Sequence, residues 1–192
     1  VWLNADSELK YPVRFVGGKR EVYLKGEGYF QVSKDSCRQF IVHLQNSEIT
    51  VLGTAFNVSA YEDEAHVYTT LEEGRVAFYS RQNKQRILLK PGMQSDMEVA
   101  TGKTVVSEVD PSLYSAWIEG RFVFQSLDLE SILRQLQRWY DFEVFFQQQE
   151  VKNYRFRGVL SRDMDIRQAL DIIEETTDLK FDIKGKTILV RK

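Results

Sequence analysis

The chain has one cysteine and two histidines in 192 residues. A single thiol excludes an internal disulfide, so the fold must stand on burial alone. Cys37 lies in the turn-like stretch Asp35-Ser36-Cys37-Arg38-Gln39, with no second thiol and no activating base nearby, and reads as incidental rather than redox-active. His43 and His66 have neither a cysteine nor another histidine at ligand spacing, whereas zinc takes three or four such ligands, so no metal is expected. Alternation in Phe40-Ile41-Val42-His43-Leu44 turns the apolar residues inward and His43 outward. No apolar run is long enough to cross a bilayer and no cleavable signal pattern is present; with Val1 in place of a methionine, the chain reads as a piece of a longer protein.

An excess of charge of one sign is also lacking, with 26 basic against 28 acidic residues. Residues 114–192 hold 13 of each, leaving 13 basic and 15 acidic for residues 1–113. Neither part has the basic surplus of a nucleic-acid binder. The hydrolase elbow G-x-S-x-G, the metalloprotease H-E-x-x-H and the phosphate loop G-x-x-x-x-G-K-[ST] are all missing. Glu62-Asp63-Glu64 reads as a solvated loop and Glu73-Gly74 as a turn, because adjacent strand residues point in opposite directions and supply no paired-carboxylate geometry. Gly26-Glu27-Gly28 lacks the helix a dinucleotide loop needs. A binding module without catalytic residues or cofactor is expected.

What is present is period two. Val22, Leu24, Gly26, Gly28, Phe30 and Val32 share one face of an extended chain. The pattern returns at Phe40-Val42-Leu44, Phe56-Val58-Ala60, Val67-Thr69-Leu71, Val76-Phe78 and Ile87-Leu89, with Gly53, Gly74 and Gly92 at strand ends. An all-β domain, sandwich or short β-solenoid, is expected over 1–110. Asp110-Pro111-Ser112 breaks the pattern, and residues 111–120 read as a linker.

Beyond it the period changes. After a strand at Phe122 and Phe124, Leu129, Ile132, Leu133 and Leu136 form one face of a helix capped by Asp128 and reaching Trp139 or Tyr140. Strands follow at 142–146 and 154–159. A second helix starts at Asp165 with Gln168 completing a capping box and Ile166, Ala169, Leu170 and Ile173 on its apolar face. Phe181-Asp182-Ile183 and Thr187-Ile188-Leu189-Val190 close as a hairpin around Lys184-Gly185-Lys186. Over 121–192 this order predicts a split βαβ domain, two helices on one sheet, and makes the whole chain α+β. Among 12 Phe, 9 Tyr and 3 Trp, Phe30, Phe56, Phe122 and Phe124 are expected in cores, while Tyr11, Tyr61, Tyr68, Tyr79 and Tyr154 could form a sugar-stacking or protein-docking face.

Four glycine-punctuated motifs, Gly26-Glu27-Gly28-Tyr29-Phe30-Gln31-Val32, Val51-Leu52-Gly53-Thr54-Ala55-Phe56-Asn57-Val58, Leu71-Glu72-Glu73-Gly74-Arg75-Val76 and Leu89-Lys90-Pro91-Gly92-Met93-Gln94, occur in that order before Trp117-Ile118-Glu119-Gly120-Arg121-Phe122-Val123-Phe124. In order and wording they resemble the extracytoplasmic part of FecR-like transmembrane sigma-factor regulators, or anti-sigma factors. Their counterparts read close to GEAYFEV, VxGTxFNV, LxEGxV and LxPGxQ. Gly28 stands where the family has alanine and Gln31 where it has glutamate. Trp139-Tyr140-Asp141 and Arg155-Phe156-Arg157-Gly158 resemble the C-terminal domain of Bacteroidetes members, itself similar to the short N-terminal domain of secretins and TonB-dependent transducers.

The resemblance implies a periplasmic relay region of an inner-membrane, single-pass protein. It would bind the signalling domain of a TonB-dependent outer-membrane transducer and control an extracytoplasmic-function sigma factor through a cytoplasmic segment and membrane helix outside these residues. Strand addition is the expected docking mode. Tyr154, Arg155, Phe156 and Arg157, or Thr187, Ile188, Leu189 and Val190, are the candidate edges. Two other classes stand beside it: a carbohydrate-binding β-domain of a glycan-utilisation system, and a ring-building assembly domain.

Overall fold

Alternation becomes strand throughout the first part of the chain. In the computed structural model, which describes residues 1–192, the strands are β1 (Trp2–Leu3), β2 (Glu8–Lys10), β3 (Lys19–Val32), β4 (Gln39–His43), β5 (Ser47–Val51), β6 (Thr54–Ala60), β7 (His66–Glu73), β8 (Val76–Ser80), β9 (Arg86–Leu89), β10 (Met93–Glu98) and β11 (Thr104–Glu108). They join in one curled 11-stranded sheet of order β11-β10-β7-β6-β3-β4-β5-β8-β9, with β1 and β2 added along β3. A solenoid would stack parallel neighbours, whereas every pair here except β3 with β4 is antiparallel. The arrangement is the sandwich-like alternative, a sheet folded over its own apolar face.

β3 makes the fold-over possible. Its first half pairs with β4, from Lys19 opposite Gln39 to Tyr23 opposite His43. Its second half pairs with β6, from Gly26 opposite Ala60 to Val32 opposite Thr54. Gly26 stands at the change of partner with φ +83, and a Cβ there would meet Ser7 Oγ at 2.4 Å and the Asp6 carbonyl at 2.9 Å. Only glycine allows both the conformation and the crossing. The inward residues of both halves meet in one core: Val22, Leu24 and Phe30 of β3 with Val42, Ile49, Phe56, Val58, Leu71, Phe78, Leu89 and Met97. The rings of Phe30 and Phe56, opposite one another in the ladder, stack at 5.1 Å and 12°.

The chain divides into two compact units, Val1–Ser115 and Ala116–Lys192. The stretch read as a linker is helical: α1 (Ser112–Ser115) is followed by a 3-10 turn over Ala116–Glu119. Trp117 and Ala116 are buried, and Arg162 Nη1 donates to the Trp117 carbonyl at 2.6 Å.

The second unit contains β12 (Arg121–Asp128), α2 (Leu129–Tyr140), β13 (Glu143–Phe146), β14 (Arg155–Ser161), α3 (Ile166–Glu175), β15 (Lys180–Lys184) and β16 (Thr187–Arg191). Both helices start as their sequence dictates. Asp128 accepts from the Ser131 amide, and Asp165 accepts from Arg167 while Gln168 reaches back to the Asp165 amide. Each cap is worth about 1 kcal/mol. Leu129, Ile132, Leu133 and Leu136 of α2 and Ala169, Leu170 and Ile173 of α3 are buried in one core with Phe122, Phe124, Leu160, Phe181, Ile188 and Val190.

The strands do not share one sheet as expected. β12 pairs antiparallel with β14 in a two-stranded sheet, and β13-β16-β15 form a separate three-stranded one. Element order is a local property, but pairing is decided by where each strand's apolar face meets the core. β13 runs parallel to β16 from Glu143 opposite Thr187 to Phe146 opposite Val190, and its half-buried Val144 and Phe146 pack against that core.

Glu174, at the end of α3, carries a pH-dependent part of this unit's stability. Burial pushes its carboxyl up, but the Phe181 amide at 2.7 Å, Lys180 and Arg167 outweigh that and hold it below the ordinary value of 4.5. A depressed carboxylate contributes fully above its unfolded value and loses that contribution as pH falls through the folded one. Glu174→Gln is therefore expected to flatten the acid side of the stability curve and to cost about 1 kcal/mol at neutral pH. Thermal melts from about pH 6 down to about pH 3 test it; parallel curves for both proteins would refute the assignment.

Candidate docking surface

The glycine-punctuated motifs are absorbed by the first unit's own architecture. Glu27 accepts from Asn4 Nδ2 at 2.6 Å and from Asn57 Nδ2 at 2.8 Å, tying the N-terminal segment and β6 to β3. Tyr61 is buried and donates to the Ala5 carbonyl at 2.9 Å, holding the same segment, so it belongs to no exposed aromatic face. Tyr29 donates to Glu72, and burial together with that carboxylate pushes its hydroxyl up to about 12. Gln31 is exposed, so the carboxylate absent there is a surface one.

Gly74 takes φ +92 where the β7–β8 turn crosses the Gly53-Thr54 backbone, and an added Cβ would lie 2.6 Å from the Gly53 carbonyl and 2.9 Å from Thr54 Oγ1. Gly74→Ala should cost about 2–4 kcal/mol from conformation and clash together. Urea unfolding measures it, and a loss under about 1 kcal/mol would mean the turn relaxes freely.

His43 corrects the expectation of a surface histidine. Its side chain is 16% exposed, stacks on Tyr23 at 4.8 Å, and receives Arg81 Nη2 on Nδ1 at 3.0 Å. Tyr23 of the neighbouring β3 and Arg81, just past β8, cover it in a way that alternation within β4 alone does not reveal. His66 lies 2.6 Å from Asp96 and stacks on Tyr68. Tyr79 carries Arg86 over its ring, Tyr11 is exposed, and Tyr154 Oη receives Lys192 Nζ at 3.3 Å. Cys37 is exposed, with Asp35 accepting from the Cys37 and Arg38 amides.

The two candidate edges fare differently. Thr187, Ile188, Leu189 and Val190 lie in β16, the central strand of its sheet, with β13 on one side and β15 on the other. Both rows of backbone groups are occupied, so no strand can add there. A terminal position in sequence is not an edge position in space.

Arg155, Phe156 and Arg157 lie in β14, which pairs only with β12, and Tyr154 immediately precedes it. The ladder runs from Arg121 opposite Ser161 to Asp128 opposite Arg155, with a bulge between Phe124 and Leu127. The Arg162 amide bonds the Gly120 carbonyl and the Leu129 amide bonds the Tyr154 carbonyl. Because backbone direction alternates, Phe156, Gly158 and Leu160 also face β12, whereas the amides and carbonyls of Arg155, Arg157 and Val159 point to the open side. None of those groups has a backbone partner outside the ladder. Their side chains share the exposed face of the sheet, opposite buried Leu160 and half-buried Phe156. Val159 is the residue sequence reasoning left out of this edge; its signal was the alternation that sets it in phase with Arg155 and Arg157.

Residues 1–77 match the family model described as FecR protein and residues 121–190 the one described as FecR, C-terminal. No curated protein sequence matches the chain. Two crystal structures of a candidate anti-sigma factor from Parabacteroides distasonis ATCC 8503 are similar to it, with TM-scores of 0.90 and 0.89. Both are 25% identical and cover 99% of this chain and 88% of the other. No helix here is long and apolar enough to cross a membrane. With both of its units matched in order by models of one family and its fold shared with a candidate anti-sigma factor, the chain belongs to the FecR family of regulators.

Proposed function

We propose that this chain is the periplasmic receiving region of a FecR-like anti-sigma factor, docking the signalling domain of a TonB-dependent outer-membrane transducer and so controlling an extracytoplasmic-function sigma factor. The sigma factor is contacted through a segment outside these residues. The observation that carries the reading is the unpaired edge of β14 in the unit matched by the FecR C-terminal model. Main-chain bonds to Arg155, Arg157 and Val159 supply affinity, and their side chains supply choice of partner. The domain roles follow the same division: residues 1–110 are a scaffold, 111–120 a connection, and 121–192 the docking domain.

Calorimetric titration with the signalling domain of the nearest-encoded transducer is the first experiment. Saturable one-to-one binding is expected. Val159→Pro removes an outward amide and no ladder bond, so the unit should keep its fold while binding falls at least tenfold. Unchanged binding by a folded Val159→Pro protein, or no binding by the parent, would sink the reading. A glycan screen would then follow, although the burial of Tyr61 already removes one of the aromatics that a sugar platform would use.

A further inference from the structure

Three features of the β12–β14 sheet say what kind of strand its edge accepts. The first is length: the open amides and carbonyls run over Arg155, Arg157 and Val159, enough for an added strand to make an ordinary antiparallel or parallel ladder. The second is charge. Arg155 donates from Nη1 to the Ser126 carbonyl at 2.7 Å and has no carboxylate partner, and Arg157 has no ion pair. Asp128, opposite Arg155 in the ladder, is engaged on the Ser131 amide, and Glu119, in the turn before β12, on Arg121. The third is an apolar step. Val159 is 57% exposed and lies opposite half-buried Val123, forming a strip beside the two arginines.

We propose that the β14 edge takes an acidic extended segment of a protein partner. That segment would set carboxylates at alternate positions beside Arg155 and Arg157, and an apolar side chain beside Val159. The proposal rests on the docking reading above and adds the chemistry of the partner. An added strand brings side chains within about 4.5–5.5 Å of those opposite. At that range each arginine prefers a carboxylate, and a lysine would be repelled. Charged residues on an open edge also keep strands of other molecules away. A guard of that kind needs no exposed valine in phase with it, and it has no preference between acidic and neutral strands.

The test uses the whole 192-residue chain. Its probes are synthetic extended peptides centred on Glu-Thr-Glu-Thr-Val, the same peptide with lysine for glutamate, and a third with alternate amides N-methylated. Fluorescence anisotropy should show saturable binding of the acidic peptide alone, weakened as salt is raised. Arg155→Glu with Arg157→Glu should lower that binding at least tenfold and let the lysine peptide bind instead. Equal binding of the acidic and lysine peptides, no binding of the acidic peptide, or indifference to the charge reversal would each overturn the proposal. Concentration-dependent pairing of the chain with itself, removed by Val159→Pro in the absence of peptide binding, would overturn it in favour of a second copy. The two readings fail separately. A transducer domain that binds regardless of salt and of the arginine reversals leaves docking standing and removes the acidic strand. An acidic peptide that binds where the transducer domain does not has the opposite meaning.

Discussion

Phe56→Ala is expected to lower the stability of the first unit by about 3–5 kcal/mol, the usual cost of deleting a core phenylalanine. The ring is fully buried, stacks on Phe30 at 5.1 Å, and sits where β3 and β6 meet inside the folded-over sheet. Alanine leaves a cavity bounded by strands of both halves, which are hydrogen-bonded to their neighbours and cannot collapse into it. A domain of ordinary stability holds about 5–15 kcal/mol, so the loss is a large share of the total. Phe56→Leu keeps most of the volume and should cost about 1–1.5 kcal/mol. Urea unfolding of the two variants measures the difference. Equal, small losses would mean that the stack lies at a compliant part of the core.

Leu133→Ala is expected to leave the second unit largely unfolded at 37 °C. Leu133 is 1% exposed on the inner face of α2, and losing its isobutyl group costs about 2–5 kcal/mol. Residues 116–192 form a small unit whose core, at this size, supplies roughly 3–5 kcal/mol in all. The two figures are comparable, so little net stability would remain. Gln135→Ala, on the same helix but outside the buried face, should be nearly silent. Limited proteolysis and circular dichroism report both, and survival of an intact α2 in the Leu133 variant would show a stronger core than its size suggests. Because the proposed docking edge lies in this unit, the same variant should lose transducer binding with its fold.

Local elements were highly legible. Asp128 and Asp165 cap α2 and α3 as their spacing predicts, with the Gln168 capping box present. The strands read from alternation at 22–32, 40–44, 56–60, 67–71, 76–78 and 87–89 appear as β3, β4, β6, β7, β8 and β9. β1, β2, β5, β10 and β11 have weaker alternation or more polar content and carry no comparable signal in the sequence. Buried Ser47 in β5 and buried Ser95 in β10 interrupt the hydrophobic signal there. Family-level identity was legible for the same reason as the strands. Glycines such as Gly74 and bridging polar residues such as Glu27 are dictated by close crossings and appear in sequence as short, ordered motifs.

Pairing was not legible in the same way. The single expected sheet of the second unit is two sheets, β16 is central, and His43 is covered by Tyr23 and Arg81, side chains brought beside it only by folding. Sequence by itself determined the α+β class, the helix starts, the inward face of most strands and the family. Tertiary structure alone decided which strand edges remain open, and with them that Tyr154–Arg157 flanks a free edge while Thr187–Val190 does not. The physical reason is that periodicity and capping depend on residues a few positions apart. A strand edge is free or occupied according to what a distant segment does with its own apolar face.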